Sequence, residues 1–199
     1  SAFESYDHIQ VDFKNAEVSA KSGVKEKDAY LSLKLLSGDP KVCQAYVTKA
    51  EYTITISDRV LLENKDLSKY VFDHHASISS KDDKPSGENH SNADPCKYSI
   101  ELAVESPGEL DLRLKRGSIL VEDWIEPVHA RVGFGDIDLG HVGDVNVKCG
   151  YCTLAGEGLG GDLVYDVEYG NIGFASLAGS VDGKTLGDTV LKWSRLSAD

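Results

Sequence analysis

Cys149 and Cys152 are the residues of this chain whose types and spacing most directly suggest chemistry. They form a Cys-Gly-Tyr-Cys motif, which has the spacing of a redox-active disulfide. A thioredoxin-like site needs its first cysteine at the N-terminus of a helix, but this motif lies among strand patterns and is followed by glycine-rich sequence. A structural zinc site needs four ligands, and a second Cys-x-x-Cys or a paired histidine motif is missing. The motif therefore predicts a local disulfide or two plain thiols rather than a catalytic or metal site.

The chain has four cysteines, and this even count permits two disulfides in three connectivities. We favour Cys43–Cys96, which would close a long loop, and Cys149–Cys152, which is local. Such bonds indicate an oxidising compartment, namely the periplasm, the cell surface or the extracellular space. Four reduced and partly buried thiols are the alternative, and a count of free thiols with and without reductant distinguishes the two states.

Two other segments carry side chains that can bind metal ions. Asp73, His74 and His75, together with His90, offer a carboxylate and imidazoles, but adjacent histidines in a strand point to opposite sides and the surrounding sequence is a polar loop. Residues 158–162 (Gly-Leu-Gly-Gly-Asp) are similar to one calcium turn of a β-roll, a site that needs several consecutive copies. We therefore predict no metal and no cofactor, with calcium as the alternative.

Two pairs of carboxylates, Asp136 with Asp138 and Asp162 with Asp166, could serve a polysaccharide-cleaving β-helix. An aspartate directly after a glycine also has an ordinary role in turns, because its side chain accepts hydrogen bonds from the backbone. No Ser-His-Asp arrangement, phosphate-binding loop or nucleotide fingerprint is present in the sequence. We predict no catalytic residues, and the alternative is a carbohydrate-active enzyme that uses these Asp pairs.

The elements that position these residues are short strands cut by turns about every nine residues. The turn positions are Gly108, Gly117, Glu126 with Pro127, Gly135, Gly143, Gly150, Gly161, Gly170, Gly179 and Gly187. Between them apolar residues alternate, which is the pattern of a half-buried strand. The inward sets are Ile119 and Val121; Val128, Ala130 and Val132; Ile137 and Leu139; Val145 and Val147; Leu163, Tyr165 and Val167; and Ile172 and Phe174.

This pattern predicts an all-β fold. A glycine-punctuated, single-stranded β-solenoid would use two nine-residue units per coil, about 18 residues. An antiparallel meander closed into a sandwich or barrel is the alternative, and periodicity does not separate the two.

We expect one all-β domain over residues 1–199, with front strands in 1–72, an exposed polar insertion in 73–97 and the repeat stack in 98–193. In the front part, alternation predicts strands at residues 9–13, 29–35, 42–48, 52–57 and 60–62. The insertion is rich in polar and turn-forming residues and has no apolar pattern.

The composition is that of an acidic globular protein: 199 residues with a net charge of −12 and 41% hydrophobic residues. An acidic surface repels phosphate backbones, so we do not expect a nucleic-acid partner. No apolar run approaches the roughly 20 residues that a membrane-spanning helix needs. The chain begins with Ser1 and contains no methionine, from which we expect a trimmed form or a missing N-terminal segment.

Two runs, IELAVESP (100–107) and LDLRLKRGSILV (110–121), resemble the opening of adhesin-like domains of the auto-transporter-adhesin type. The repeated unit of that family, a glycine followed by a small polar residue and then apolar residues, recurs at 135–139 and 170–174. The resemblance covers residues from about 9 to 191. It implies a front β portion leading into a solenoid-like stack, in a protein of the cell envelope or surface, and it brings no catalytic residues. The 73–97 insertion and the cysteines depart from the family pattern.

From these observations we expect a non-catalytic, exported protein that binds a protein or a glycan through a strand face. A self-assembling structural module, in which stacks associate end to end, is a further alternative.

Overall fold

The computed structural model describes residues 5–59, 67–70, 95–187 and 189–193, and of residues 67–70, 189, 192 and 193 it describes the backbone alone. The described strands are β1 (His8–Lys21), β2 (Tyr30–Ser37), β3 (Ala45–Lys49), β4 (Thr53–Ser57), β5 (Leu67–Tyr70), β6 (Lys97–Ala103), β7 (Glu109–Glu122), β8 (Val128–Val142), β9 (Val145–Leu159), β10 (Leu163–Leu177), β11 (Val181–Thr185) and β12 (Thr189–Trp193). In these ranges the helical structure consists of one 3-10 turn, Glu26–Asp28, so the described chain has no helix that could cross a membrane. The all-β prediction is confirmed.

The strands β7 to β10 stack in parallel and in register. Leu110 pairs with Val128, Val128 with Val145, and Val145 with Leu163, so equivalent residues are 18, 17 and 18 positions apart. Strand β1 lies parallel to β7 along its whole length on one side of this stack. Consecutive strands of an antiparallel meander would run in opposite directions, so these four strands do not form one.

The connections between these parallel strands are too short for straight strands. A straight 15-residue strand is about 50 Å long, whereas the five residues between β7 and β8, the longest connection, reach at most about 18 Å. Each strand must therefore bend back so that its end approaches its beginning. We infer that each 18-residue unit, which we call a rung, is one turn of a coil.

The bend divides each long strand into two halves, and at the two ends of the stack these halves have different neighbours. The first half of β1 pairs with β4, and its second half pairs with β6. At the other end of the stack, the first half of β10 pairs with β11 and the second half pairs with β12. We call the sheet formed by the first halves the first layer and the sheet formed by the second halves the second layer.

One apolar core lies between the two layers. All residues of the predicted inward sets are buried and belong to one cluster. Phe13 of the first layer meets Tyr98 of β6 edge to face at 5.0 Å, which shows the layers in contact. Trp124 is fully buried in the connection after β7, where its indole Nε1 donates to the Gly108 carbonyl oxygen at 3.0 Å. The burial of a large ring with its only polar atom satisfied stabilises that connection.

Three glycines predicted as turns between strands are corners inside continuous strands. Gly117, Gly135 and Gly170 have φ values of +141°, +153° and +149°, a backbone region that favours glycine. A Cβ at Gly117 would collide with the carbonyl oxygen of Ala16, which is the corner residue of β1. The nine-residue strand–turn repeat was therefore wrong in part, because alternate turns are bends within a strand, and the strand keeps the same register with its neighbour on both sides of the bend.

Gly150 was also wrong as a turn, because the corner of its rung is Cys152. Cys152 pairs with Gly135 on one side and with Gly170 on the other. With Cys152 as the corner, the uneven spacings of 7 and 11 around Gly150 become 9 and 9, in line with the spacings of 8 or 9 in the rest of the stack. Among β7 to β10, the strand that lacks a corner glycine is β9, which carries the Cys149–Cys152 disulfide.

The front part adds antiparallel strands to one side of the stack. Strand β2 pairs with β6, while β3 lies between β4 and β5. The Cys43–Cys96 disulfide joins the connection before β3 to the residue before β6. Strand β1 extends well beyond the predicted 9–13, and Tyr52 lies exposed before β4 rather than in it. The predicted strand at 60–62 and residues 73–94 of the predicted insertion lie outside the described residues.

Candidate functional site

The outward side of the first layer carries a row of cations. Arg113, Arg131 and Lys148 are register partners on β7, β8 and β9, so they lie side by side across three neighbouring strands. Adjacent strands are about 4.8 Å apart. The row therefore runs along the stack, perpendicular to the strands, with one positive charge on each of three rungs.

A surface groove of about 600 Å³ follows this row. Its charged lining consists of the six cations Lys14, Arg59, Arg113, Lys115, Arg131 and Lys148 and the three carboxylates Asp12, Asp166 and Glu168. The groove thus has an excess of positive charge, while the whole chain has a net charge of −12. Such a concentration of one charge sign in a concave surface attracts ligands of the opposite sign.

Carboxylates pair with the cations at the margin of the groove. The Arg113 guanidinium forms two hydrogen bonds with Asp111, at 2.7 Å and 3.2 Å. Arg59 donates to Asp12 at 2.5 Å. These bonds raise the pKa of Arg113 and of Arg59, because each carboxylate stabilises the charged guanidinium.

The two cations at the centre of the row, Arg131 and Lys148, have no ion-pair partner among the described side chains, and both are exposed. They lie directly opposite each other on neighbouring strands, and Arg131 also lies opposite Arg113. Like charges at such positions destabilise a sheet. Carboxylates lie at the two ends of this row, Asp12 opposite Arg113 and Asp166 opposite Lys148. Arg131 has a cation on each side, which is a cost to folding that a bound anion would reduce.

Asp58, which follows β4, lies beside the groove residues Asp12, Lys14 and Arg59. Its Oδ2 atom accepts a hydrogen bond from the Lys14 backbone N–H at 2.8 Å, whereas its buried Oδ1 atom has no hydrogen-bond partner among the described residues. Burial raises the pKa of Asp58, and the bond from Lys14 opposes this effect. The ionised Asp58 carboxylate therefore lowers the free energy of unfolding at neutral pH. As the pH falls and Asp58 takes up a proton, this destabilising effect disappears.

An aromatic ladder, Phe134, Tyr151 and Tyr169, borders the groove one residue before the corners. The rings stack at 5.1 Å and 4.8 Å, and all three are partly exposed. The Arg116 guanidinium covers the outer face of Phe134, with 5.6 Å between the guanidinium carbon and the ring centroid. At the other end, Gly187 lies against the Tyr169 ring so closely that a Cβ would collide with it. Because neighbours cover the ring faces, the ladder presents edges to solvent and joins the rungs.

The two predicted carboxylate pairs lie in different parts of the molecule. Asp136 and Asp138 lie exposed on the outward side of the second layer, whereas Asp166 lies in the groove of the first layer, 3.3 Å from Lys184. Asp162 lies in the connection before β10, and its Oδ1 atom accepts the Ser180 backbone N–H at 2.8 Å. Asp144 accepts the Asp162 N–H in the same way. Asp162 therefore makes the turn hydrogen bond considered above.

The remaining predicted positions do not supply an ion site in the described chain. Both favoured disulfides, Cys43–Cys96 and Cys149–Cys152, are present. Asp73, His74, His75 and His90 lie outside the described residues. In the parts of the chain that are described, no group of three His, Cys, Asp or Glu side chains could hold a metal ion.

The groove cations were missed in the sequence analysis, although a signal was present. Arg113, Arg131, Lys148, Asp166 and Lys184 recur at intervals of 18, 17, 18 and 18 residues. The nine-residue spacing of the turns does not align one rung with the next. Alignment on the 18-residue rung would have placed these charges in one row.

No protein-family model matches the chain, and a search of curated proteins found no match. The resemblance to adhesin-like domains therefore stays an expectation from the quoted motifs, and the functional argument depends on the groove.

Proposed function

We propose that this protein is a non-catalytic, adhesin-like binding module of the cell envelope or surface, and that it engages its protein or glycan ligand in the basic groove of the first layer. One observation carries the proposal: Arg131 and Lys148 form the exposed centre of a cationic row on an acidic protein, and neither has an ion-pair partner among the described side chains. Natural sequences retain locally unfavourable arrangements mainly where function requires them.

Binding rather than hydrolysis is supported by the placement of the carboxylates. A glycosidase places two carboxyl groups within about 10 Å of each other on either side of the bond that it cleaves. Asp136 and Asp138 point outward from one layer, while Asp166 lies in the groove of the other. The two predicted Asp pairs thus lie on different layers, and the Asp136 and Asp138 pair lies away from the groove.

An exported location is supported by the two disulfides, since such bonds persist in oxidising compartments. We expect no free thiols in protein isolated from its source under denaturing conditions with an alkylating agent, and four after reduction. Free thiols before reduction would contradict this part of the proposal.

Charge reversal in the groove tests the binding function. We expect wild-type protein to bind at least one class on an array of neutral glycans, acidic glycans and acidic peptides, and the double variant Arg131→Glu/Lys148→Glu to lose that binding. The matched control is Lys25→Glu/Lys27→Glu, which makes the same change in net charge at exposed positions beside the 3-10 turn. Equal binding by the groove variant, or no binding by wild type, would overturn the proposal.

End-to-end self-assembly is a second candidate, favoured by the edge strand β11. All five of its residues are exposed, and it pairs with β10 alone among the described strands. Exposed edges are sites at which sheets associate. Light scattering that shows a constant mass over a hundredfold range of concentration would exclude this candidate.

A further inference from the structure

We propose that the ligand of the basic groove is a polyuronate, an acidic polysaccharide with a carboxylate on each sugar residue; this inference rests on the binding function proposed above. The polymer would lie along the row Arg113–Arg131–Lys148, crossing the rungs, with its carboxylates on the two unpaired cations.

The repeat of the row matches a chain with one charge per sugar. The strand spacing is about 4.8 Å, so the three register partners extend over about 10 Å. One sugar residue of an extended polysaccharide is close to one strand spacing in length, so successive carboxylates can meet successive rungs. The planar guanidinium of Arg131 can hold a carboxylate through two parallel hydrogen bonds, and the Lys148 ammonium acts as a point charge.

The floor of the groove permits a polymer to approach the backbone. Between Lys115 and Glu168, the equivalent positions on the two middle strands are Gly133 and Gly150. Neither glycine puts a side chain into the groove, and a Cβ at Gly150 would lie only 2.8 Å from the Gly133 carbonyl oxygen. The two central rungs therefore offer a flat surface flanked by cations.

The carboxylates of the groove select among anionic polymers. Asp166 and Glu168 lie at the end of the groove next to the cationic row. They would repel a ligand that carries only anionic groups, but they accept hydrogen bonds from the hydroxyl groups of a sugar. A polyuronate supplies both carboxylates and hydroxyl groups, whereas a polyphosphate has almost no donors and an acidic peptide offers backbone N–H groups in place of hydroxyl groups.

The aromatic ladder disfavours single-stranded nucleic acid. Proteins that bind such strands stack the bases on free aromatic faces. Here the faces of Phe134, Tyr151 and Tyr169 are occupied by one another, by Arg116 and by Gly187. A base therefore has no open ring on which to stack in this ladder.

The test is titration calorimetry with oligogalacturonate at low and at high salt, with neutral dextran, dextran sulfate, polyglutamate and oligothymidylate as comparison polymers. We expect oligogalacturonate to bind most tightly, with an affinity that falls as salt screens the charges, and dextran not to bind. The Arg131→Gln/Lys148→Gln variant should bind at least about tenfold more weakly. The Lys25→Gln/Lys27→Gln control should bind like wild type.

A second variant separates a polyuronate from a general polyanion. Asp166→Ala/Glu168→Ala should weaken the binding of oligogalacturonate because hydroxyl contacts are lost, although it makes the groove more positive. Tighter binding by this variant, or tighter binding of dextran sulfate, polyglutamate or oligothymidylate by wild type, would overturn the polyuronate assignment and leave the binding function standing. Failure of every polymer to bind would overturn both.

Discussion

The corner glycines are the residues that the coil can least replace. At Gly117, Gly135 and Gly170 a positive φ coincides with close contact to the corner carbonyl of the preceding rung. A side chain there would require both an unfavourable backbone conformation and a separation of two rungs, and strain of this kind costs about 1–3 kcal/mol before any clash is counted.

Replacement of Gly135 tests this conclusion. We expect Gly135→Ala to lower the free energy of unfolding by at least about 3 kcal/mol, because its Cβ would meet the Gly117 carbonyl oxygen. The control is Gly160→Ala, since Gly160 is exposed and the nearest atom to a Cβ there is the Val142 carbonyl oxygen at 3.6 Å. Urea unfolding measures both; similar values for the two variants would contradict the corner role.

The turn aspartate Asp162 makes stability depend on pH. The hydrogen bonds from Ser180 lower the pKa of Asp162, so the unfolded chain binds the proton more tightly than the folded chain does. Its stabilising effect is therefore complete above the unfolded pKa of about 4 and is lost as the pH falls through the lower folded pKa.

We expect wild type to be more stable than Asp162→Asn at pH 7 and the difference to vanish at low pH, because the amide keeps the acceptor oxygen but carries no charge. Urea midpoints at several pH values test this. The two proteins share Asp58, whose raised pKa changes stability in the opposite direction, so its effect cancels in the comparison. A difference that does not change with pH would show that the Asp162 charge has no part in the turn.

At the scale of the element, the third rung bends by a different device from its neighbours. Strands β7, β8 and β10 each have a glycine at the corner, and β9 has Cys152 bonded to Cys149. Cys149 lies in an inward row with Val132 and Val167. In β7, β8 and β10 the residue equivalent to Cys149 is apolar, and the residue equivalent to Cys152, three positions later, is the corner glycine. The disulfide therefore replaces an apolar residue and a corner glycine.

This interpretation predicts a rescue. Cys149→Ser/Cys152→Ser should lower the free energy of unfolding by about 2 kcal/mol, the value expected for a short disulfide loop. Cys149→Val/Cys152→Gly also lacks the disulfide, but it introduces the residues of the neighbouring rungs and should recover most of the loss. Thermal unfolding of both variants measures the difference. A Val/Gly variant no more stable than the Ser/Ser variant would show that Cys152 is not equivalent to a glycine corner.

At the scale of the whole molecule, charge is distributed unevenly. The chain has 33 acidic and 21 basic side chains, yet six of the basic ones line a single groove. Arg131 lies between two cations, Arg113 and Lys148, while Lys148 has Asp166 on its other side. The repulsion between Arg131 and Lys148 therefore lowers the stability of the sheet, whereas their charges favour the binding of an anionic ligand.

We expect Arg131→Gln/Lys148→Gln to raise the free energy of unfolding by about 0.2–1 kcal/mol, because it removes cross-strand repulsion. The gain should shrink in high salt, which screens the charges. Lys25→Gln/Lys27→Gln, away from the row, should change stability less. Denaturant unfolding at two salt concentrations provides the measurement, and a loss of stability in the groove variant would mean that these cations have favourable contacts in the sheet.

Local patterns were sufficient to predict the class of the fold and much of its core. Alternation placed Ile119, Val121, Ile137 and Leu139 in the interior, because side chains of a strand point to opposite sides in turn. The same information could not distinguish a corner from a turn at Gly117, since both positions need a glycine. It also misplaced one corner at Gly150, where a cysteine and not a glycine makes the bend.

The sequence by itself determined that this protein is all-β, which residues face the core and that the chain repeats about every nine residues, because all three depend on the periodicity of neighbouring residues. Only the tertiary structure decided that strands β7 to β10 run parallel with an 18-residue offset, that Cys152 is a corner, and that Arg131 lies beside Lys148. These are matters of register between distant segments. The strand-forming propensity of a segment does not determine which residues of another strand it pairs with. Packing across the whole stack determines that register.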